Sequence, residues 1–244
     1  MSTTTEGIRT QGAPQMEGQQ SVYIARYGLP ETALIEGKGP FDMELSGEGV
    51  KAAHELGAHL KERNVKHIFC SNFKRALHTA VLVSNDVGLS KVNIEEGITE
   101  WQSPGLIGGQ TPYKPPSVIH LLERFPEINA RYESITKPEP FETEQEMVER
   151  TGRVARILAD SLFPSSILIV SHAPCNIGIS LSFEGLGEGR RSESKVRPWP
   201  LGGLTQFTRN AISSPWSMIK SGSTDHLSGT WKEGRQAWTL PSLR

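Results

Sequence analysis

The sequence contains only two cysteines, Cys70 and Cys175, among its 244 residues. Two cysteines cannot build the disulfide framework of a small secreted domain, and this scarcity favours a reducing compartment. Long apolar runs are also missing, so no stretch predicts a membrane span, and the first residues lack the apolar core of a secretion signal. We therefore expect a soluble, cytoplasmic protein without a membrane partner.

An excess of charge of either sign is missing as well. The 26 Lys and Arg nearly balance the 27 Asp and Glu, which gives a net charge of −1. This balance provides no overall field towards nucleic acid, so we expect no nucleic-acid partner. No spacing of His, Cys, Asp and Glu is typical of a metal site, and we expect neither a metal nor another cofactor. Any anion site must come from a local cluster of basic side chains.

The pattern of elements predicts the fold class. Residues 1–20 are mostly polar and predict a disordered leader, and residues 21–244 predict one domain. Strands and helices alternate, which is typical of an α/β protein with a single doubly wound, mostly parallel sheet and helices on both faces. Strands are predicted at 21–25, 65–70, 92–98, 166–170, 204–208 and 216–220. Helices are predicted from 46 to about 64, from 71 or 72, and at 117–125, 143–163 and 173–183.

Four polar residues follow predicted strands: Arg26, Arg75, Glu100 and His172. In such a sheet the carboxyl ends of the strands converge and hold ligands, so the four side chains could share one pocket. A guanidinium donates two parallel hydrogen bonds to a phosphate, and Arg75 also lies near the start of a helix, where the helix dipole favours an anion. The pattern predicts an oxyanion site.

These residues lie in motifs that resemble the histidine phosphatase (phosphoglycerate mutase-like) superfamily. The similar stretches are RYG at 26–28, SNFKRALHTA at 71–80, EW at 100–101 and VSHA at 170–173. The stretch EGITEW at 96–101 and the prolines at 115 and 116 look most like the branch of the suppressor of T-cell receptor signalling and ecdysteroid-phosphate phosphatases. The resemblance implies the phosphoglycerate mutase-like three-layer sandwich, and members of this branch tend to form homodimers.

The resemblance also implies roles for the four polar residues. Arg26, Arg75 and His172 would bind phosphoryl oxygens, and Glu100 would be the general acid. The nucleophilic histidine of the family should follow Arg26 directly, but this sequence has Tyr27 there. The resemblance therefore implies a partner that is phosphate, a phosphorylated ligand or another protein, at a site with an altered nucleophile.

The tyrosine changes the expected chemistry. A phenol has a reference pKa near 10 and an imidazole near 6.5, so little phenolate is expected at neutral pH. A phosphotyrosine is also much less labile than a phosphohistidine, so a covalent intermediate on Tyr27 would stall. The phosphatase branch has a further arginine after the glycine, where this sequence has Leu29 and Pro30.

Three functions remain open. The first is an inactive or very weak phosphatase that binds phosphate or a phosphorylated partner, and the second is an active phosphomonoesterase with an altered mechanism. The third is a protein-interaction scaffold with a vestigial pocket.

Further residues could take part in the site or line its entrance. His78 lies one helical turn after Arg75 and is either a substitute nucleophile or a packing residue, and Cys175 fits a buried structural thiol. Trp101 and Tyr113 are expected at the entrance, in a lid at 102–116, where they would favour a bulky or aromatic ligand. The basic loop from Arg190 to Arg197 is either solvated or recognises an acidic partner.

Overall fold

Six strands form one sheet in the computed structural model, which describes residues 18–31, 43–196, 198–229 and 236–243. The strand order is β3-β2-β4-β1-β5-β6. The strands are β1 (Gln20–Arg26), β2 (Val65–Cys70), β3 (Asn93–Ile94), β4 (Ser166–Ser171), β5 (Leu204–Arg209) and β6 (Ser217–Ser223). Strands β1 to β4 pair in parallel, β5 is antiparallel to β1, and β6 is antiparallel to β5. The predicted mostly parallel sheet is confirmed.

Helices cover both faces of this sheet. They are α1 (Gly47–Leu60), α2 (Lys74–Asp86), α3 (Val118–Arg124), α4 (Glu144–Ser161) and α5 (Ala173–Glu184). Helices α1 and α2 contribute to one buried hydrophobic cluster, and α4 and α5 contribute to a second one on the opposite face. No helix in these described ranges is long and apolar enough to cross a membrane.

Two predicted helix starts are capped by side chains. Ser46 accepts a hydrogen bond from the Gly49 amide at the start of α1. Thr143 and Glu146 form a capping box at the start of α4. In both places a side-chain oxygen satisfies an amide that has no partner within the helix, so the start is encoded locally.

Two predicted elements were wrong in their extent. The strand predicted at 92–98 is reduced to Asn93–Ile94, because the Glu95 side chain accepts a hydrogen bond from the Gly97 amide and turns residues 96–98 into a 3₁₀ turn. Helix α2 begins at Lys74, after Phe73, and not at 71 or 72. The hydroxyl of Ser71 lies instead against His172.

Some predictions concern the ends of the chain and one loop. Gln20 belongs to β1, so the first strand begins inside the predicted leader. The described residues do not include residues 1–17 of that leader, positions 32–42 between β1 and α1, or Trp231. Trp238 pairs with Trp199 through two backbone hydrogen bonds.

Candidate functional site

The register of the central strands brings the predicted site residues to one edge of the sheet. In the parallel pair of β1 and β4, Arg26 lies opposite Ser171, and in the pair of β2 and β4, Cys70 lies opposite Val170. The residues that follow these strands are therefore neighbours. Among them are Tyr27 and His172.

Glu100 lies at the centre of the resulting cluster. Its Oε2 atom is 2.9 Å from Nη2 of Arg75 and 2.7 Å from Nδ1 of His172. The side chains of Arg75 and His172 are almost fully buried, and that of Glu100 is 15% exposed. Three of the four predicted polar residues therefore form one buried ionic cluster, and its anion is a carboxylate of the protein itself.

The protonation states of this cluster follow from its surroundings. Burial opposes the ionised form of Glu100, but the charges and hydrogen bonds of His172 and Arg75 outweigh it and hold the pKa of Glu100 well below its usual range. Burial lowers the pKa of His172, against the opposing effect of Glu100. Glu100 is thus ionised and His172 neutral at neutral pH. An ionised carboxylate cannot protonate a leaving group, so the general-acid role would require Glu100 to take up a proton first.

A hydroxyl completes the hydrogen bonding of His172. Nε2 of His172 lies 2.8 Å from Oγ of Ser71, and Nδ1 faces Glu100. Because neutral imidazole has one donor and one acceptor nitrogen, Nδ1–H donates to Glu100 and Nε2 accepts from the Ser71 hydroxyl. The Glu100 carboxylate, which can only accept, thereby fixes the tautomer of His172, and the Ser71 hydroxyl helps to hold the orientation of the ring. The sequence interpretation missed this residue, although it stands in the motif that contains Arg75.

The order Ser71–His172–Glu100 has the hydrogen-bond lengths of a hydrolytic triad. Ser71 has no exposed surface, and its Oγ also accepts a hydrogen bond from the Phe73 amide at 3.3 Å. In this arrangement the hydroxyl orients the imidazole.

The ring of Tyr27 lies close to both arginines. Its ring centroid is 4.8 Å from Cζ of Arg75 and 5.6 Å from Cζ of Arg26, and its hydroxyl is hydrogen-bonded to Arg75. The ring also meets that of His172 edge-on, with the centroids 5.3 Å apart. The two guanidiniums therefore face one shared aromatic ring. Burial opposes the charge on Arg75, but Tyr27 and Glu100 outweigh it and raise the pKa of Arg75.

Arg26 is held by backbone carbonyls. Its Nη1 atom donates to the oxygens of Trp199 and Gln236, both at 2.7 Å. Its Nε is buried and has no hydrogen-bond partner among the described residues. The two carbonyls had no sequence signal, because every residue type carries one.

Beside the cluster lies a cavity of about 410 Å³. Its wall includes Glu100 and Tyr113, together with several prolines and two lysines, Lys114 and Lys137. The Gln102 side chain joins the two ends of the loop 102–113 through hydrogen bonds to the backbone of Tyr113.

Trp101 is placed differently from the expectation. It is only 6% exposed, packs in the core and donates from Nε1 to the Glu142 carbonyl at 2.8 Å. The entrance position predicted for Trp101 is therefore corrected to a core position. Its indole is large and apolar, and the neighbouring core offers a partner for its N–H.

The secondary candidates lie in other surroundings. The ring of His78 packs against Phe125, and burial lowers the pKa of His78. Burial raises the pKa of Cys175 to about 12, which leaves it as an unreactive thiol beside the Thr99 carbonyl. Arg190 pairs with a neighbouring glutamate, Arg191 is buried against helix α4, and Arg197 lies outside the described residues. Within the described ranges, no group of three or more His, Cys, Asp and Glu could hold a metal ion.

Solved structures share this architecture at low sequence identity. The ecdysone phosphate phosphatase of Bombyx mori, in complex with tungstate, matches with a TM-score of 0.63 and 15% identity, over 88% of this chain and 99% of that one. A phosphoserine phosphatase variant of Entamoeba histolytica, in complex with phosphoserine, gives a TM-score of 0.56 and 19% identity, over 86% of this chain and 100% of that one. A mycobacterial glucosyl-3-phosphoglycerate phosphatase with inorganic phosphate gives a TM-score of 0.58 and 18% identity, over 86% of this chain and 100% of that one.

The sequence itself gives the family. No match was found among curated protein sequences. The family model described as the histidine phosphatase superfamily (branch 1) matches residues 22–198, which include most of β1, strands β2 to β4, the helices α1 to α5 and the whole Arg75–Glu100–His172 cluster. The chain belongs to the histidine phosphatase superfamily, branch 1.

Proposed function

We propose that this protein binds phosphate or a phosphorylated ligand at the cluster of Arg26, Arg75 and His172, and that it turns phosphate esters over very slowly or not at all. The observation that carries the proposal is the placement of both guanidiniums against the Tyr27 ring, beside His172. Two cations within reach of one point suit a tetrahedral anion. The side chain at the position of the nucleophile is a phenol.

The charge balance of the site supports an anion. At neutral pH, Arg26 and Arg75 carry one positive charge each, Glu100 carries one negative charge, and His172 is neutral. The cluster therefore keeps one net positive charge in a largely buried place, where a charge attracts its partner more strongly than it does in water.

The neighbours support the same class of ligand. The three similar structures contain tungstate, phosphoserine and inorganic phosphate. Because their identity to this chain is below 20%, they show the common fold, and the ligand is transferred here only as part of the proposal.

Calorimetric titration with inorganic phosphate and tungstate tests the proposal. We expect binding, and we expect Arg26→Ala to weaken it about 10- to 100-fold, because a charge-assisted hydrogen bond is lost. Arg124→Ala is the matched control, since Arg124 forms an exposed ion pair with Glu44 and lies outside the cluster. Wild-type protein that binds neither anion refutes the proposal and leaves the interaction scaffold as the better function.

An active phosphomonoesterase is the second candidate, and the Ser71–His172–Glu100 chain is the observation that favours it. An aryl-phosphate assay on the purified protein decides between the two candidates. We expect no turnover above that of Ser71→Ala. Turnover in the wild type that disappears in both Ser71→Ala and Glu100→Gln would establish the second candidate instead.

A further inference from the structure

We infer that the carboxyl-terminal segment 236–240 positions Arg26 for its anion, so that this segment controls the affinity of the pocket. The inference rests on the proposed phosphate site. It assigns Gln236 and Trp238 as positioning residues, which act through Arg26 and do not touch the ligand.

The contact is direct at Gln236. One nitrogen of Arg26, Nη1, donates to the carbonyl oxygens of Trp199 and Gln236, and both distances are 2.7 Å. Each of these residues belongs to a different segment, and the two segments are themselves joined. The Trp199 amide donates to the Trp238 carbonyl at 2.8 Å, and the Trp238 amide donates to the Trp199 carbonyl at 3.1 Å. The Trp199 carbonyl thus receives both the guanidinium and the Trp238 amide.

The two hydrogen bonds between the backbones of Trp199 and Trp238 form a bridge between the two segments, and both segments are anchored in the core. Trp199 and Leu240 have no exposed surface and belong to the hydrophobic cluster formed with α4 and α5. Gln236 has a φ of +50°, a left-handed conformation that is unfavourable for a residue with a side chain. The anchored bridge holds this conformation and so keeps the Gln236 carbonyl against Arg26.

The geometry selects one edge of the guanidinium for a ligand. Both hydrogen bonds that the Arg26 side chain makes with the described residues leave from Nη1, and its buried Nε has no partner among them. The edge formed by Nε and Nη2 presents two parallel N–H groups, which is the fork that binds phosphate oxygens. An arginine that is fixed at Nη1 loses less conformational freedom when an anion binds at that edge.

Two variants of the full chain release the segment by different means. Trp238→Pro removes the amide that donates to Trp199, and Leu240→Asp places a charge at a buried anchor. We expect each to weaken the binding of inorganic phosphate about tenfold, because Arg26 must then be ordered by the ligand itself. Trp238→Phe keeps the amide and the aromatic packing and should bind phosphate as the wild type does. Ser242→Ala, beyond the bridge, should also have no effect.

A double-mutant cycle separates positioning from general loosening. If the segment acts through Arg26, Trp238→Pro and Leu240→Asp cause no further loss of phosphate affinity in an Arg26→Ala background. The inference is overturned if Trp238→Pro and Leu240→Asp bind phosphate like the wild type. It is also overturned if they reduce phosphate affinity by the same factor with and without Arg26. These results leave the phosphate pocket itself intact, whereas wild-type protein without phosphate binding refutes the proposed function.

Discussion

Glu100→Gln tests whether the site's own carboxylate competes with a phosphate. Glu100 lies 2.9 Å from Arg75 and 2.7 Å from His172, so it already satisfies the donors that a phosphoryl oxygen would need. Glutamine has nearly the same shape and keeps an acceptor oxygen, but it lacks the negative charge. The substitution therefore removes repulsion of the ligand while it preserves the packing.

The magnitude follows from Coulomb's law. At an effective dielectric constant of about 20, two unit charges about 6 Å apart repel each other by about 3 kcal/mol. Glu100 is partly exposed, which screens this repulsion, and we take about 2 kcal/mol as the net gain. The dissociation constant for phosphate should therefore fall about 30-fold in Glu100→Gln.

The same substitution should destabilise the protein without ligand. Arg75 is almost fully buried and loses an ionised partner, which we expect to cost about 2 kcal/mol, or about 4–8 °C in the midpoint of thermal unfolding. Titration calorimetry and thermal unfolding with and without phosphate measure both effects. Glu96→Gln is the control, because Glu96 pairs with Lys137 at 3.1 Å outside the cluster, and its phosphate affinity should stay within about twofold. If Glu100→Gln binds phosphate no more tightly than the wild type, the reasoning about competition is wrong.

Three further outcomes are expected. Tyr27→His should create measurable hydrolysis of an aryl phosphate, because an imidazole nucleophile then lies beside the guanidiniums, whereas Tyr27→Phe should create none. Burial lowers the pKa values of His59 and His226 to about 4, so the unfolded chain binds more protons than the folded chain below pH 6.5. The free energy of unfolding therefore falls as the pH decreases from 6.5 towards 4. In urea titrations, His226→Gln should reduce the slope of this free energy against pH by the equivalent of about one proton. Gly28→Ala should destabilise the fold by about 1–3 kcal/mol in the same assay, since its Cβ would lie 2.5 Å from a carbonyl oxygen of α1, whereas Gly47→Ala meets no atom within 4 Å and should change little.

The order of strands and helices could be predicted because local chemistry encodes it. The run at 166–170 is apolar at almost every position, and the strand there is buried on both faces. The side chains of Ser46 and Thr143 cap their helices as their sequence positions indicate. The convergence of Arg75, Glu100 and His172 could also be predicted, because the parallel strands of such a sheet end at a common edge.

Other features depend on contacts between distant segments. The 3₁₀ turn after β3 depends on the Glu95 side chain, which also accepts hydrogen bonds from Tyr132 and Ile135, 37 and 40 residues later. The carbonyls that hold Arg26 come from residues 173 and 210 positions away. Residue type carries no information about a backbone carbonyl, so this part of the site could not be found from sequence.

The two arginines of the site have different consequences for a ligand. Arg75 is already paired with Glu100 and hydrogen-bonded to Tyr27, so an anion that approaches Arg75 also meets the negative charge of Glu100. Arg26 is fixed by neutral carbonyls and keeps Nε without a partner among the described residues, so an anion reaches it without displacing a charge. Because breaking a buried ion pair costs more free energy than adding an acceptor to an unpaired donor, Arg26 should supply most of the initial attraction. Arg75 then determines the final affinity through the competition with Glu100. Tyr27 therefore leaves this attraction in place, because the attraction comes from a guanidinium that the tyrosine contacts and does not neutralise.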